Sequence, residues 1–283
     1  MSSGVPVLEI GGSHVTAAMV SAGLVERVHR AGLDSKASAE SIVGELCDAA
    51  RQLPLASGLA VALPGPFDFA AGVAWYKLDK FAALYGQDLG RSLRERLGLE
   101  RIVFMNDAEA FTIGEWFAGE LRGLDRCVGI TIGTGIGSAF LDDGRAIRTG
   151  DTVPPGGELY RTSFDGRPIE DCISARAILR RYADKLGTPP PRSTGVKEIA
   201  EAARAGDAVA ESALVEAFQV LADALAPWLA RFGATRVVLG GSIAGAFDVV
   251  AEVFPFPVSA TADAEHSALI GAALHFERST GPG

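Results

Sequence analysis

Two stretches of this chain repeat one pattern: an apolar run, a glycine-rich bend, and a second apolar run. The first is VPVLEIGGSHVTAAMV at residues 5–20, bent at Gly11 and Gly12. The second is CVGITIGTGIGSAFLDDG at residues 127–144, bent at Gly133, Gly135 and Gly137. Each bend opens a second strand, not a helix. That excludes the dinucleotide-binding fingerprint, whose glycines must begin a helix, and no Gly-Lys-Ser/Thr is present to form a P-loop. A tight bend between strands predicts φ > 0 at Gly11 and Gly12. At Gly133–Gly137 the missing side chains would let backbone N–H groups close around an anion.

The remaining pattern is α/β. Amphipathic spacing predicts helices over residues 37–53, 87–98 (closed by Gly98) and 174–185. A helix is also predicted over 207–232, kinked at Pro227. Strands are predicted at 55–63, 102–107 and 234–240, and a hairpin turn at Asp143-Gly144. A helix follows Asp107 directly, and another covers 266–276. Residues 150–168 and 187–195 read as loops, and the tail from 279 as frayed.

Charge and composition narrow the function classes. The 283 residues carry a net charge of −9 with no basic cluster, which argues against a nucleic-acid partner. No apolar run is long enough to predict a membrane span, and the N-terminus does not read as a secretion signal. Cys47, Cys127 and Cys172 are scattered, so neither a disulfide framework nor a zinc motif is expected. A reducing cytoplasm fits these features.

The chemistry concentrates at MNDAEAFTIGE (105–115). An apolar strand delivers Asn106 and Asp107 to its end. One positioned carboxylate can accept a proton from an attacking hydroxyl and hold its oxygen in line, as phosphoryl transfer requires. The competing reading makes Asp107 the N-cap of the helix that follows.

Eight segments in order carry a family resemblance: EIGGSH (9–14), LPGPFD (63–68), MNDAEAFTIGE (105–115), ITIGTGIGSAFLDDG (130–144), GGE (156–158), IEDCISARAI (169–178), VVLGGSIA (237–244) and HSALIGAAL (266–274). Together they resemble the ROK family of sugar kinases, within the actin-like ATPase superfamily. The resemblance implies two actin-like (ribonuclease-H-like) α/β domains with an active-site cleft between them. Residues 1–106 would carry the sugar side and the first phosphate loop, with helix 266–280 packing back on them. Residues 107–265 would carry the second phosphate loop, the adenosine turn and the sugar-gripping acids. It implies ATP and Mg²⁺, a small sugar or polyol substrate, no membrane partner, and a homodimer.

Residue by residue, the resemblance makes Asp107 the general base and Asn106 a ligand of a substrate hydroxyl. Gly65 and Pro66 would line the sugar pocket. Gly11, Gly12 and Ser13 match the first phosphate loop, and Gly133, Thr134, Gly135 and Gly137 the second. Gly240, Gly241 and Ser242 match the adenosine-side turn. Glu158 and Glu170 match two acids that grip sugar hydroxyls, with Ser174 keeping the spacing after Glu170. A carboxylate's two acceptor oxygens suit vicinal hydroxyls.

The departures are informative. Glu9 stands where the family usually has Asp, and would reach Mg²⁺ through water. Ser13 replaces Thr, and His14, often Lys in the family, reads as a surface strand residue. Arg161 replaces a His, and the zinc cysteines of ROK glucokinases are missing, so no structural zinc is expected. Arg161 offers donors only: it can meet a carboxylate, a phosphate or hydroxyl oxygens, or simply pair with Glu158. Another hexose, an amino sugar or a cyclitol thus stands beside glucose as substrate, and a degenerate sugar sensor is the non-catalytic alternative. Trp75 or Tyr76 can stack on a sugar or pack inside; Lys77 and Lys80 read as solvated.

Overall fold

The computed structural model describes residues 4–55, 58–77 and 80–279. The fold is mixed α/β and divides into two compact units: residues 1–118 with 265–283, and residues 119–264.

The first unit is built on strands β1 (Val5–Ile10), β2 (His14–Ser21), β3 (Leu24–Gly32), β4 (Leu59–Leu63) and β7 (Ile102–Asn106), with a small hairpin of β5 (Phe67–Asp68) and β6 (Val73–Ala74). The five-stranded order is β3-β2-β1-β4-β7. β1, β2 and β3 pair antiparallel; β4 and β7 add in parallel. β4 is buried along its whole length, as a run of Leu, Ala and Val covered on both faces should be. Helices α1 (Ala39–Ala50), α2 (Leu89–Leu97) and α3 (Asp107–Ala118) follow the strands. Ser38 and Asp88 cap α1 and α2, and Gly98, at φ 67°, ends α2.

The second unit repeats this topology. Its strands are β8 (Arg126–Ile132), β9 (Ile136–Asp142), β10 (Arg145–Ala146), β13 (Arg236–Gly240) and β14 (Val258–Ala260), in the order β10-β9-β8-β13-β14. Again three strands pair antiparallel and two add in parallel. A hairpin of β11 (Ser163–Phe164) and β12 (Arg167–Pro168) lies in the 150–168 segment. Helices α4 (Ala175–Leu186), α5 (Val196–Arg204), α6 (Ala208–Phe232) and α7 (Phe247–Val250) complete it. α6 continues through Pro227. It is long and apolar enough by length and composition to cross a membrane, but Leu214, Phe218, Leu221 and Leu225 lie buried in the core of this unit. The last helix, α8 (Ala264–Arg278), belongs from Glu265 onward to the first unit.

Several expectations are revised. Gly11 and Gly12 are not among the positive-φ residues. The bend is wider than a two-residue turn: the Gly11 N–H donates to the His14 carbonyl at 2.9 Å. The glycines leave room there for neighbouring side chains instead. A Cβ on Gly11 would meet the His14 ring at 2.8 Å, and one on Gly12 would overlap the Lys80 ammonium. The unit boundary falls after Ala118, not after Asn106, because β7 runs into α3 without a break. β3, unforeseen, is polar and largely exposed. Its pairing with β2 across an Ala22-Gly23 turn, both at φ > 0, makes it a strand. Residues 280–283 of the expected frayed tail lie outside the described residues.

Candidate active site

In the first unit the chemistry gathers where β1 and β7 end. Asn106 closes β7 and Asp107 opens α3 with no loop between. The Asn106 Oδ1 accepts the N–H groups of Ala108 (2.9 Å) and Glu109 (3.2 Å), which makes Asn106 the cap. Asp107 Oδ1 shares the Ala108 N–H at 2.8 Å. Capping therefore does not account for Asp107, and the Asn106 carbonyl is committed to the helix. Any substrate contact by Asn106 falls to its amide N–H groups.

Asp107 lies close enough to Glu9 and Tyr76 for its charge to disfavour ionisation of both. Tyr76 is buried, and its hydroxyl donates to the Pro64 carbonyl at 2.5 Å. It therefore packs and ties down the loop that carries Gly65 and Pro66, whose peptide bond is cis. Trp75 is the exposed member of the pair, edge-on to Tyr85 with ring centroids 5.7 Å apart. Leu78 and Asp79, within the aromatic segment singled out in the sequence, lie outside the described residues.

The first glycine bend has supports that sequence patterning did not reveal. Buried Ser35 donates through Oγ to the Gly12 carbonyl at 2.8 Å and accepts the Phe81 N–H at 2.7 Å. The Lys80 ammonium stands over Gly12 and is half-buried, not a solvated lysine. Ser13 is exposed at the tip. His14 is half-buried too, 3.2 Å from Glu265, which corrects its reading as a surface residue. A serine and a lysine distant in the chain leave no local signal of such roles.

Glu9 is the perturbed acid of this half. Its Oε2 is buried without a hydrogen-bond partner among the described residues. Burial lifts its carboxyl to about 8, with the charges of Asp107 and Glu265 adding and Arg30 opposing. A carboxyl raised above its ordinary 4.5 stabilises the fold fully below that value, and the contribution is lost as pH rises through 8. In EDTA, Glu9→Gln is expected to hold its melting temperature better than the parent between about pH 5 and about pH 9. Parallel melting profiles would refute the shift.

In the second unit two glycine turns converge. The Gly133 N–H donates to the Gly135 carbonyl at 2.9 Å, which closes the Gly133–Gly137 turn, and Thr134 is exposed at its apex. Gly240 ends β13 and Gly241 follows at φ 86°. A Cβ on Gly241 would strike the Ile132 backbone, and one on Gly133 would touch Ser242 Oγ. The Gly133–Gly137 turn and the Gly240–Ser242 turn thus sit together at the ends of parallel strands β8 and β13.

Glu170 is tied to this turn. Its Oε1 accepts the Ile136 N–H at 2.9 Å and fills the space a Cβ on Gly135 would occupy. Ser174 does not support Glu170: its Oγ caps α4 by accepting the Ala177 N–H at 3.3 Å. If the turn holds nucleotide phosphate as the family resemblance implies, Glu170→Ala should raise the KM for nucleotide as well as for sugar; a change confined to sugar would show that the brace on the turn is idle. Glu158 pairs with Arg161, Nε to Oε2 at 2.5 Å, with the arginine half-exposed. Its loop is anchored by buried Ser138, which donates to the Gly157 carbonyl (2.8 Å) and accepts the Leu159 N–H (2.7 Å).

Comparison with known proteins gives a consistent picture. The ROK family model matches residues 6–265. A glucokinase of Thermotoga maritima is 28% identical over 211 residues, covering 68% of this chain and 66% of that protein. A beta-glucoside kinase of Listeria monocytogenes is 27% identical over 243 residues, covering 78% of this chain and 79% of the relative. Among solved structures, a ROK family glucokinase from Streptomyces griseus, in complex with glucose and AMPPNP, superposes with a TM-score of 0.78. It is 21% identical and covers 97% of this chain and 99% of that one, a likeness of fold.

Proposed function

The chain belongs to the ROK family, and we propose that it transfers the γ-phosphoryl group of ATP to a hydroxyl of a hexose or sugar-like polyol. It is an ATP-dependent sugar kinase, a phosphotransferase with an alcohol acceptor. The observation that carries this reading is the junction of β7 with α3, where Asn106 takes the cap and leaves Asp107 to serve as base.

The acceptor oxygen attacks the γ-phosphorus while its proton passes to the Asp107 carboxylate. The bond from phosphorus to the bridging oxygen breaks, and ADP leaves with that electron pair. The Gly133–Gly137 turn binds phosphate. Because the Gly133 and Ile136 N–H groups are already engaged, Thr134 offers the phosphate its own N–H and hydroxyl. The bend at Gly11–Ser13, with Lys80 beside it, is the first unit's own phosphate loop. Gly240–Ser242 accommodate the adenosine side. The buried, unpartnered oxygen of Glu9 suits a hard cation, and Glu9 would hold Mg²⁺ through water. When bound, Mg²⁺ neutralises phosphate charge. Gly65 and Pro66, the Asn106 amide, and the carboxylates of Glu158 and Glu170 orient the sugar. Arg161 neutralises Glu158 and supplies donors at the same place, which leaves another hexose, an amino sugar or a cyclitol beside glucose as the acceptor.

ADP release should be measured across glucose, mannose, N-acetylmannosamine, fructose, allose and inositols, with Asp107→Asn as control. One acceptor should stand out, and its turnover should collapse in the variant. Sugar binding without turnover in the parent would sink the kinase reading in favour of a sensor.

A further inference from the structure

We propose that Glu9, His14 and Glu265 form a binding site for a divalent cation of the first transition row, filled in the absence of nucleotide. Three elements build it. Glu9 stands on β1, His14 begins β2, and Glu265 lies in the first turn of α8. One donor atom from each side chain lies within 4.8 Å of the other two. His14 Nε2 is 3.2 Å from Glu265 Oε2 and 3.8 Å from Glu9 Oε2. Donors ~2.1 Å from a shared ion are roughly 3–4 Å apart, so these two spacings already fit.

One feature points to a ligand, and a second fixes the imidazole in place. The Glu9 Oε2 is buried and has no hydrogen-bond partner among the described residues, although it points toward the imidazole. A buried carboxylate oxygen in that state is costly unless something positive meets it. The imidazole itself is seated by the bare backbone of Gly11, where a Cβ would press on the ring at 2.8 Å. An outer partner is also in place. Buried Thr16 donates through Oγ1 to Glu265 Oε1 at 2.9 Å, which leaves Oε2 turned toward His14.

The charges around the cluster favour a cation. Two carboxylates belong to it, and the Asp107 charge reaches Glu9 as well. Arg30 is the opposing charge, 3.6 Å from Glu265 and more than half exposed, so it can swing away. The imidazole decides the class of ion. Magnesium prefers an all-oxygen shell, whereas Mn²⁺, Co²⁺ and Zn²⁺ accept nitrogen beside carboxylates. This ion is bound without nucleotide and shares Glu9 with the Mg²⁺ assigned above, so the two occupy that carboxylate in turn; the site does not depend on the kinase reading.

The test is Mn²⁺ titration of the EDTA-stripped full chain without nucleotide, followed by the electron paramagnetic resonance of free Mn²⁺. One Mn²⁺ per chain should bind, well ahead of Mg²⁺, with a rise in melting temperature. His14→Ala and Glu265→Gln should each weaken binding at least tenfold, and Thr16→Val by roughly 10–100-fold. If a variant fails to fold, selective paramagnetic broadening of the His14 ring protons in the parent replaces it; broadening of other histidines alone would overturn the site. Uptake only with ATP, equal preference for Mg²⁺, no uptake, or uptake indifferent to both His14 and Glu265 would each overturn it. In the last two cases His14 is simply an ion-pair partner of the two acids.

Discussion

Asp107→Asn should lower kcat by about 10²–10⁴-fold while leaving the sugar's dissociation constant within a few-fold of the parent. The exchange keeps size and shape while removing the negative charge and the ability to take a proton. Because Asn106 Oδ1 carries the cap of α3, the helix should keep its start, and melting temperature should hold. A kcat near that of the parent would remove Asp107 from the role of base. A large loss of kcat accompanied by loss of fold would mean that the charge of Asp107 matters to the fold as well as to the chemistry. Asn106→Ala is the contrasting variant. It strips the cap and should cost about 0.5–2 kcal/mol of stability, so that the two neighbours separate into one catalytic and one mainly structural effect.

The same pair shows what sequence can and cannot reveal. That Asn106 and Asp107 lie where a strand meets a helix was legible from the apolar run before them and the helical spacing after them. Which of the two caps the helix was not, because both residue types cap well and the choice depends on backbone direction. The strands flanking both glycine bends were legible for the same reason, as alternating apolar runs with a break between them. The reason for the glycines was not. Gly11, Gly12 and Gly135 make room for the His14 ring, Lys80 and Glu170, and the contacts with Lys80 and Glu170, tens of positions away, leave no local trace. β3 was missed because an exposed edge strand needs no apolar face, and α5 (Val196–Arg204) because it starts directly after the proline-rich segment. Glu170 was found as an acid of the site, but its grip on the Ile136 N–H depends on how two distant loops meet.

Gly271→Ala and Gly114→Ala should each destabilise the first unit by about 1–3 kcal/mol or more, read as a fall in melting temperature of roughly 4–12 °C. In a helix interior the opposite sign is the ordinary expectation, since alanine is favoured over glycine by about 1 kcal/mol. Here the two glycines let α3 and α8 touch backbone to backbone. A Cβ on Gly114 would overlap the Ser267 carbonyl, and one on Gly271 would overlap that of Ala110. Neither obstacle is a flexible side chain that can turn aside, so the helices must part. Parting them also breaks the buried hydrogen bond from Ser267 Oγ to Glu115 Oε1 at 2.6 Å, which removes one hydrogen bond from a buried carboxylate. Gly44→Ala is the control. Gly44 lies within α1, nothing would stand within 4 Å of its Cβ, and the substitution should stabilise by about 0.5–1 kcal/mol. Stabilisation at all three positions would show that the helices slide apart freely. Loss at Gly114 and Gly271 alone would establish that the helix carrying Asp107 is clamped by the C-terminal helix. The kcat of the surviving Gly271→Ala enzyme would then measure how closely the base must be held, because displacing α3 moves Asp107 with it.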